Sequence, residues 1–185
     1  MIFEVFPAKG PLCRAFFVGV TARALARIGL PATKDAMSDN YLRMVPNDPY
    51  WQPDKAAAEA AANIVRGLFP RAEHVGIEYS EAVTFFDAGA NTESVRCAFC
   101  GNDLEDWWGD AMDRAGASDF SNLTIVTPCC GKSTSLNDLR YVWPAAFGMC
   151  ALVVANPGAT SLDAGQLRGI EQAIGSPLKM IWQHL

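Results

Sequence analysis

Two short stretches, "CAFCG" at residues 97–101 and "PCCG" at residues 128–131, constrain this chain more than any other feature. Two residues between cysteines let a backbone wrap around one ion, and four thiolates at about 2.3 Å close the tetrahedral shell of structural zinc. A glycine follows each pair (Gly101 and Gly131), which permits a sharp turn that aims backbone amides at sulfur. The second pair departs from the usual spacing. Adjacent side chains in a strand point to opposite faces, so Cys129 and Cys130 can both ligate only if Pro128 and Gly131 force a tight turn. The gap of 28 residues between the pairs also exceeds the usual interval of about 15–20.

Cys97, Cys100, Cys129 and Cys130 are therefore the expected ligands of a structural zinc. A three-cysteine shell completed by His74 or a carboxylate is an alternative, and so are buried thiols without a ligand. A redox pair needs thiols made acidic by cations or a helix N-terminus. Here Asp103, Glu105 and Asp106 supply the opposite charge. Cys13 and Cys150 each sit in an apolar run and read as core residues.

Half of the 185 residues are apolar, enough to bury a core without crosslinks. One α+β domain spanning residues 1–185 is expected, with a zinc-ribbon-like segment over 94–143 inside it. The net charge is −5, and between positions 59 and 119 twelve carboxylates stand against four arginines. A general nucleic-acid binder would instead carry a basic patch. Only convergence of Arg14, Arg23, Arg27, Lys34 and Arg43 would supply one. No apolar run approaches the roughly 20 residues of a membrane span. The stretch "AFFVGV" is shorter than the apolar segment of a signal peptide. A cytoplasmic location follows as an expectation, and there paired cysteines read as metal-binding or catalytic rather than as disulfides.

Periodicity predicts a strand over residues 2–6 and a helix over 12–31, whose Arg23 and Arg27 share a solvated face. Residues 34–53, with Pro46, Pro49, Pro53, Asn47 and Asp48, read as an irregular loop pinned by Tyr50 and Trp51. An alanine-rich helix starts at Pro53 and Asp54. A β-hairpin is predicted from 83–87 and 94–99, its second strand running into the first cysteine pair. Leu104, Trp107, Trp108, Ala111, Met112 and Ala115 form a continuous stripe on the next helix, capped by Asn102 or Asp103. Further strands are expected over 123–127, 139–143, 149–155 and 178–182, and a helix over 162–174. The fold class is α+β, an antiparallel sheet with packed helices and a pair of cysteine knuckles. No internal repeat is visible in the sequence.

The pattern C-x-x-C-G, WW, AM, PCCG, TSLNDLRY and WPA, continuing to PLK and IW, runs from Cys97 to the C-terminus. It resembles a family of uncharacterised bacterial proteins with a zinc-ribbon-like segment. The resemblance implies paired metal-binding cysteines at Cys97, Cys100, Cys129 and Cys130, and transfers no activity.

The residues of "TSLNDLRY" lie close to the second cysteine pair and invite a catalytic reading. Asn and Asp after a turn more often bond backbone amides and position a loop. His74 and His184 are the sole histidines, and neither has a nucleophile partner in the sequence. "GKST" lacks the upstream glycine of a phosphate-binding loop. Asp106, Asp110 and Asp113 recur at helical spacing opposite the tryptophan stripe. Such a line suits any solvated face, or a patch that meets a cationic partner. The expected function is a non-catalytic module binding a basic protein, in concrete form an immunity or antitoxin-type inhibitor of a nuclease toxin. An enzyme or redox protein built on the cysteine cluster and the TSLNDL loop is the alternative.

Overall fold

The computed structural model describes residues 40–89, 93–158 and 161–184. In chain order the elements are β1 (Asn40–Pro46), α1 (Lys55–Leu68), β2 (His74–Phe86), β3 (Ser94–Arg96), α2 (Glu105–Gly116), β4 (Thr124–Val126) and β5 (Ser133–Ser135). A 3-10 turn (Leu136–Asp138), β6 (Arg140–Val142), β7 (Ala146–Ala155), α3 (Ala164–Ile174) and β8 (Leu178–His184) follow. The class is α+β. An antiparallel sheet of order β2-β7-β1-β8 carries the first core, and the pairs β3-β6 and β4-β5 build a lobe beside it.

Alternation sorts the sheet residues. Leu42, Met44, Leu152, Val154 and Leu178 point to the face covered by α1 and α3. On α1, Ala58, Ala61, Ala62 and Val65 are buried, and their small side chains let the helix lie close to its neighbours. Asp54 caps α1 by accepting from the Ala57 amide at 2.8 Å. On α3, Asp163 and Gln166 form a reciprocal capping box, and Gly175 (φ +88°) ends the helix in the left-handed region. Each fully buried leucine or methionine here contributes about 1.5–3 kcal/mol.

The second core joins Val95, Leu104, Ala111, Ala115, Leu123, Leu136, Leu139 and Phe147. The α2 stripe packs into it as its spacing predicts. Asn102 and Asp103 are not the N-cap, which is Leu104 without a side-chain bond; Asp103 instead accepts from the Glu105 amide at 2.9 Å. Phe85 lies 4.8 Å from Phe147 and 5.9 Å from Trp108, ring centre to ring centre. β7 serves both cores: Phe147 belongs to the lobe, Leu152 and Val154 to the sheet.

Two expectations are corrected. The loop expected over 34–53 contains β1, an inner strand flanked by β7 and β8. Pro46 is its last residue, where the missing N–H is tolerated, so the turn signals bound the strand rather than replace it. The predicted hairpin does not form either. β2 pairs with β7, with a register shift between Tyr79 and Thr84, and β3 pairs with β6. Trp51 packs on the sheet core as expected, while Tyr50 is exposed and donates to the Phe120 carbonyl at 3.3 Å. The strand over 2–6, the helix over 12–31 and Cys13 lie outside the described residues, as do Arg14, Arg23, Arg27 and Lys34.

Candidate metal centre

β3 leads directly into Cys97, and the chain then folds back on itself. The Cys97 amide donates to the Asn102 carbonyl at 2.9 Å, and the Gly101 amide to the Cys97 carbonyl at 3.0 Å. Gly101 has φ +74°, a backbone region costly for any residue with a Cβ. β4 leads into a second turn in the same way. The Thr127 amide donates to the Lys132 carbonyl at 3.0 Å and the Gly131 amide to the Thr127 carbonyl at 2.8 Å, with Gly131 at φ +68°. A Cβ at either glycine would meet nothing within 4 Å. The requirement at both positions is therefore conformational, not spatial.

This second turn solves the problem posed by adjacent cysteines. Pro128 and the left-handed Gly131 curl the chain so that Cys129 and Cys130 face the same point. The sulfurs of Cys97, Cys100, Cys129 and Cys130 all lie within 4.8 Å of one another. Cys97 Sγ is 3.8 Å from Cys130 Sγ, and Cys100 Sγ is 3.3 Å from Cys129 Sγ. Four thiolates about 2.3 Å from one ion stand about 3.8 Å apart, so the cluster has the size of a tetrahedral metal site. His74, at the start of β2, is not in this group.

The thiols differ in environment. Cys97 is buried, and the Cys100 amide draws its pKa down to about 6, helped by the Phe99 amide at 3.4 Å. Loss of solvent and the neighbouring sulfurs of Cys100, Cys97 and Cys130 push the Cys129 thiol up. At Cys97 the amide donors outweigh the loss of solvent. Sulfurs gathered this closely suit a cation of matching softness.

No protein-family model, curated protein or solved structure matches this chain. Its chemistry must therefore be judged from its own residues.

Asp106, Asp110 and Asp113 are exposed on the outer face of α2. No cation among the described residues pairs with any of them. Arg43, by contrast, is committed. It pairs with Glu78 at 2.8 Å, donates to Gln183 and lies over the rings of Tyr41 and Phe86. Among the described residues no helix is long and apolar enough to cross a membrane.

The TSLNDL loop is a clasp. Asn137, nearly fully buried, donates to the Asn47 carbonyl at 2.9 Å and accepts from the Phe147 amide at 3.0 Å. Lys179 of β8 donates to the Asn137 carbonyl. These bonds tie the lobe to β1, β7 and β8. Thr127 is the residue that sequence reasoning missed: it is fully buried beside the sulfurs, its Oγ1 3.2 Å from Cys130 Sγ. Aligning the two Cys-Gly dipeptides, at 100–101 and 130–131, would have brought it into view.

Proposed function

We propose that this chain is a non-catalytic binding module. In this reading a structural zinc on Cys97, Cys100, Cys129 and Cys130 holds the α2 lobe, and the outer face of α2 meets a basic protein. The observation that carries it is the exposed row of Asp106, Asp110 and Asp113, which pairs with no cation among the described residues. The opposite face of the same helix is locked into the core through Ala111, Ala115, Trp107 and Trp108. Like charges at this spacing cost helix stability, and a cationic partner offsets that cost while the field steers its approach. An inhibitor of immunity or antitoxin type, covering the cationic cleft of a nuclease toxin, is the concrete form of this activity. Four cysteines would close the zinc shell and leave no position for a substrate.

The test is affinity capture from the native host with the wild-type chain and with Asp106, Asp110 and Asp113 changed to lysine. One stoichiometric basic partner, lost in the variant, is the expected result; equal capture by both removes this surface from the proposal. Metal analysis of protein purified without chelator checks the zinc, and clearly substoichiometric zinc refutes it.

A second reading, a redox or enzymatic cysteine cluster, has its own support. Cys97 is made acidic by backbone amides, and the exposed Cys100 lies 3.3 Å from the Cys129 sulfur. Fast alkylation of Cys97 or Cys100 at neutral pH in the native, metal-replete protein would favour it.

A further inference from the structure

The two cysteine turns repeat one backbone plan thirty residues apart. Cys97, Cys100 and Gly101 correspond to Thr127, Cys130 and Gly131, and the paired amide bonds of the two turns match one for one. The flanking strands keep the same offset. Arg96 bridges Asp103 across the first turn, and Val126 pairs with Ser133 across the second. Apart from Cys100-Gly101 and Cys130-Gly131 the two segments share little residue identity, so the likeness lies in hydrogen bonding.

In this correspondence Thr127 stands where the first turn has its buried cysteine, and both residues are fully buried. The fourth sulfur comes from Cys129, which occupies the position of Phe99. We infer that Thr127 is a positioning residue for the metal site, its hydroxyl donating to the Cys130 thiolate from the place a fourth ligand would occupy in a symmetric pair of knuckles. This rests on the reading of the four cysteines as metal ligands.

The proton inventory supports the direction of that bond. Thr127 Oγ1 lies 3.2 Å from both Cys130 Sγ and the Lys132 carbonyl. The Lys132 carbonyl already accepts the Thr127 amide. A metal-bound Cys130 carries no proton, so the thiolate and the Lys132 carbonyl are both acceptors for the single hydroxyl proton. A charged acceptor takes the stronger bond. Such outer contacts fix ligand orientation, and their removal typically lowers metal affinity about 10–100-fold.

Cobalt(II) is the probe, because its thiolate charge-transfer band reports how many sulfurs bind, and zinc competition gives relative affinity. Thr127→Val removes the hydroxyl at nearly constant shape and is expected to weaken cobalt and zinc binding at least about 10-fold, with Thr127→Ser restoring most of it. Cys129→Ala is expected to reduce the band to that of three sulfurs. Adding Thr127→Cys to Cys129→Ala should restore four-sulfur intensity, a gain that misfolding cannot produce. Wild-type affinity in Thr127→Val, or a double variant no better than Cys129→Ala alone, overturns the inference while leaving the metal site standing. If Thr127→Val fails to fold, the double variant decides alone. A wild-type chain that takes up neither cobalt nor zinc refutes the metal reading, and this inference with it.

Discussion

In the sheet, β1 is hydrogen-bonded to β8 along its whole length and to β7 on its other edge. In the lobe, β3, β4, β5 and β6 have three residues each. The sheet is held by ladder bonds and by two capped helices over an aliphatic face. The lobe has short ladders, an aromatic cluster and four sulfurs gathered at two turns. Strands this short do not persist on their own; they need a fixed point at their ends. The difference shows how one domain can set long ladders beside a region of short strands gathered on a buried core and a cysteine cluster.

If the four cysteines hold a metal as proposed, removing it should split the two regions most completely. Chelation, or acid that protonates the thiolates, is expected to loosen the lobe and change the emission of Trp107 and Trp108. Backbone amides of β1, β7 and β8 should keep their protection from hydrogen exchange. Simultaneous loss of protection in both regions would show that they do not differ in this way.

Phe147→Ala strikes the strand that both cores share. It should cost about 3–5 kcal/mol in chemical denaturation, and the two regions should melt together. Asn137→Ala cuts the clasp and strands the Asn47 carbonyl and the Phe147 amide. A loss of about 2–3 kcal/mol is expected, with the lobe more accessible to protease than the sheet. Smallest of all, Asp163→Ala removes the cap of α3 and should cost about 1 kcal/mol. That change should leave cobalt uptake untouched; a shift in uptake would mean that the sheet and the sulfur site are coupled more tightly than their packing indicates.

Much of this architecture is legible in the sequence where one period persists for long enough. The stripe from Leu104 to Ala115, the apolar run of β7 and the ends of α3 are examples. β1 was hidden because three prolines with Asn47 and Asp48 outweighed an alternating stretch of seven residues. β2 reads short in the sequence because its partner lies some seventy residues away, while a strand at 94–99 offers a nearer one. The four sulfurs can be named from their spacing, whereas Thr127 emerges only when the two Cys-Gly dipeptides are aligned. Its importance comes from a hydrogen-bonding plan that survives where residue identity does not.

The Asn137 clasp also gives the molecule an internal reporter. The Phe147 amide donates to the Asn137 side chain, so its exchange with solvent should require the clasp to open. Its rate therefore reads the frequency with which the lobe lifts from the sheet, through one proton, while deeper β7 amides register global unfolding alone.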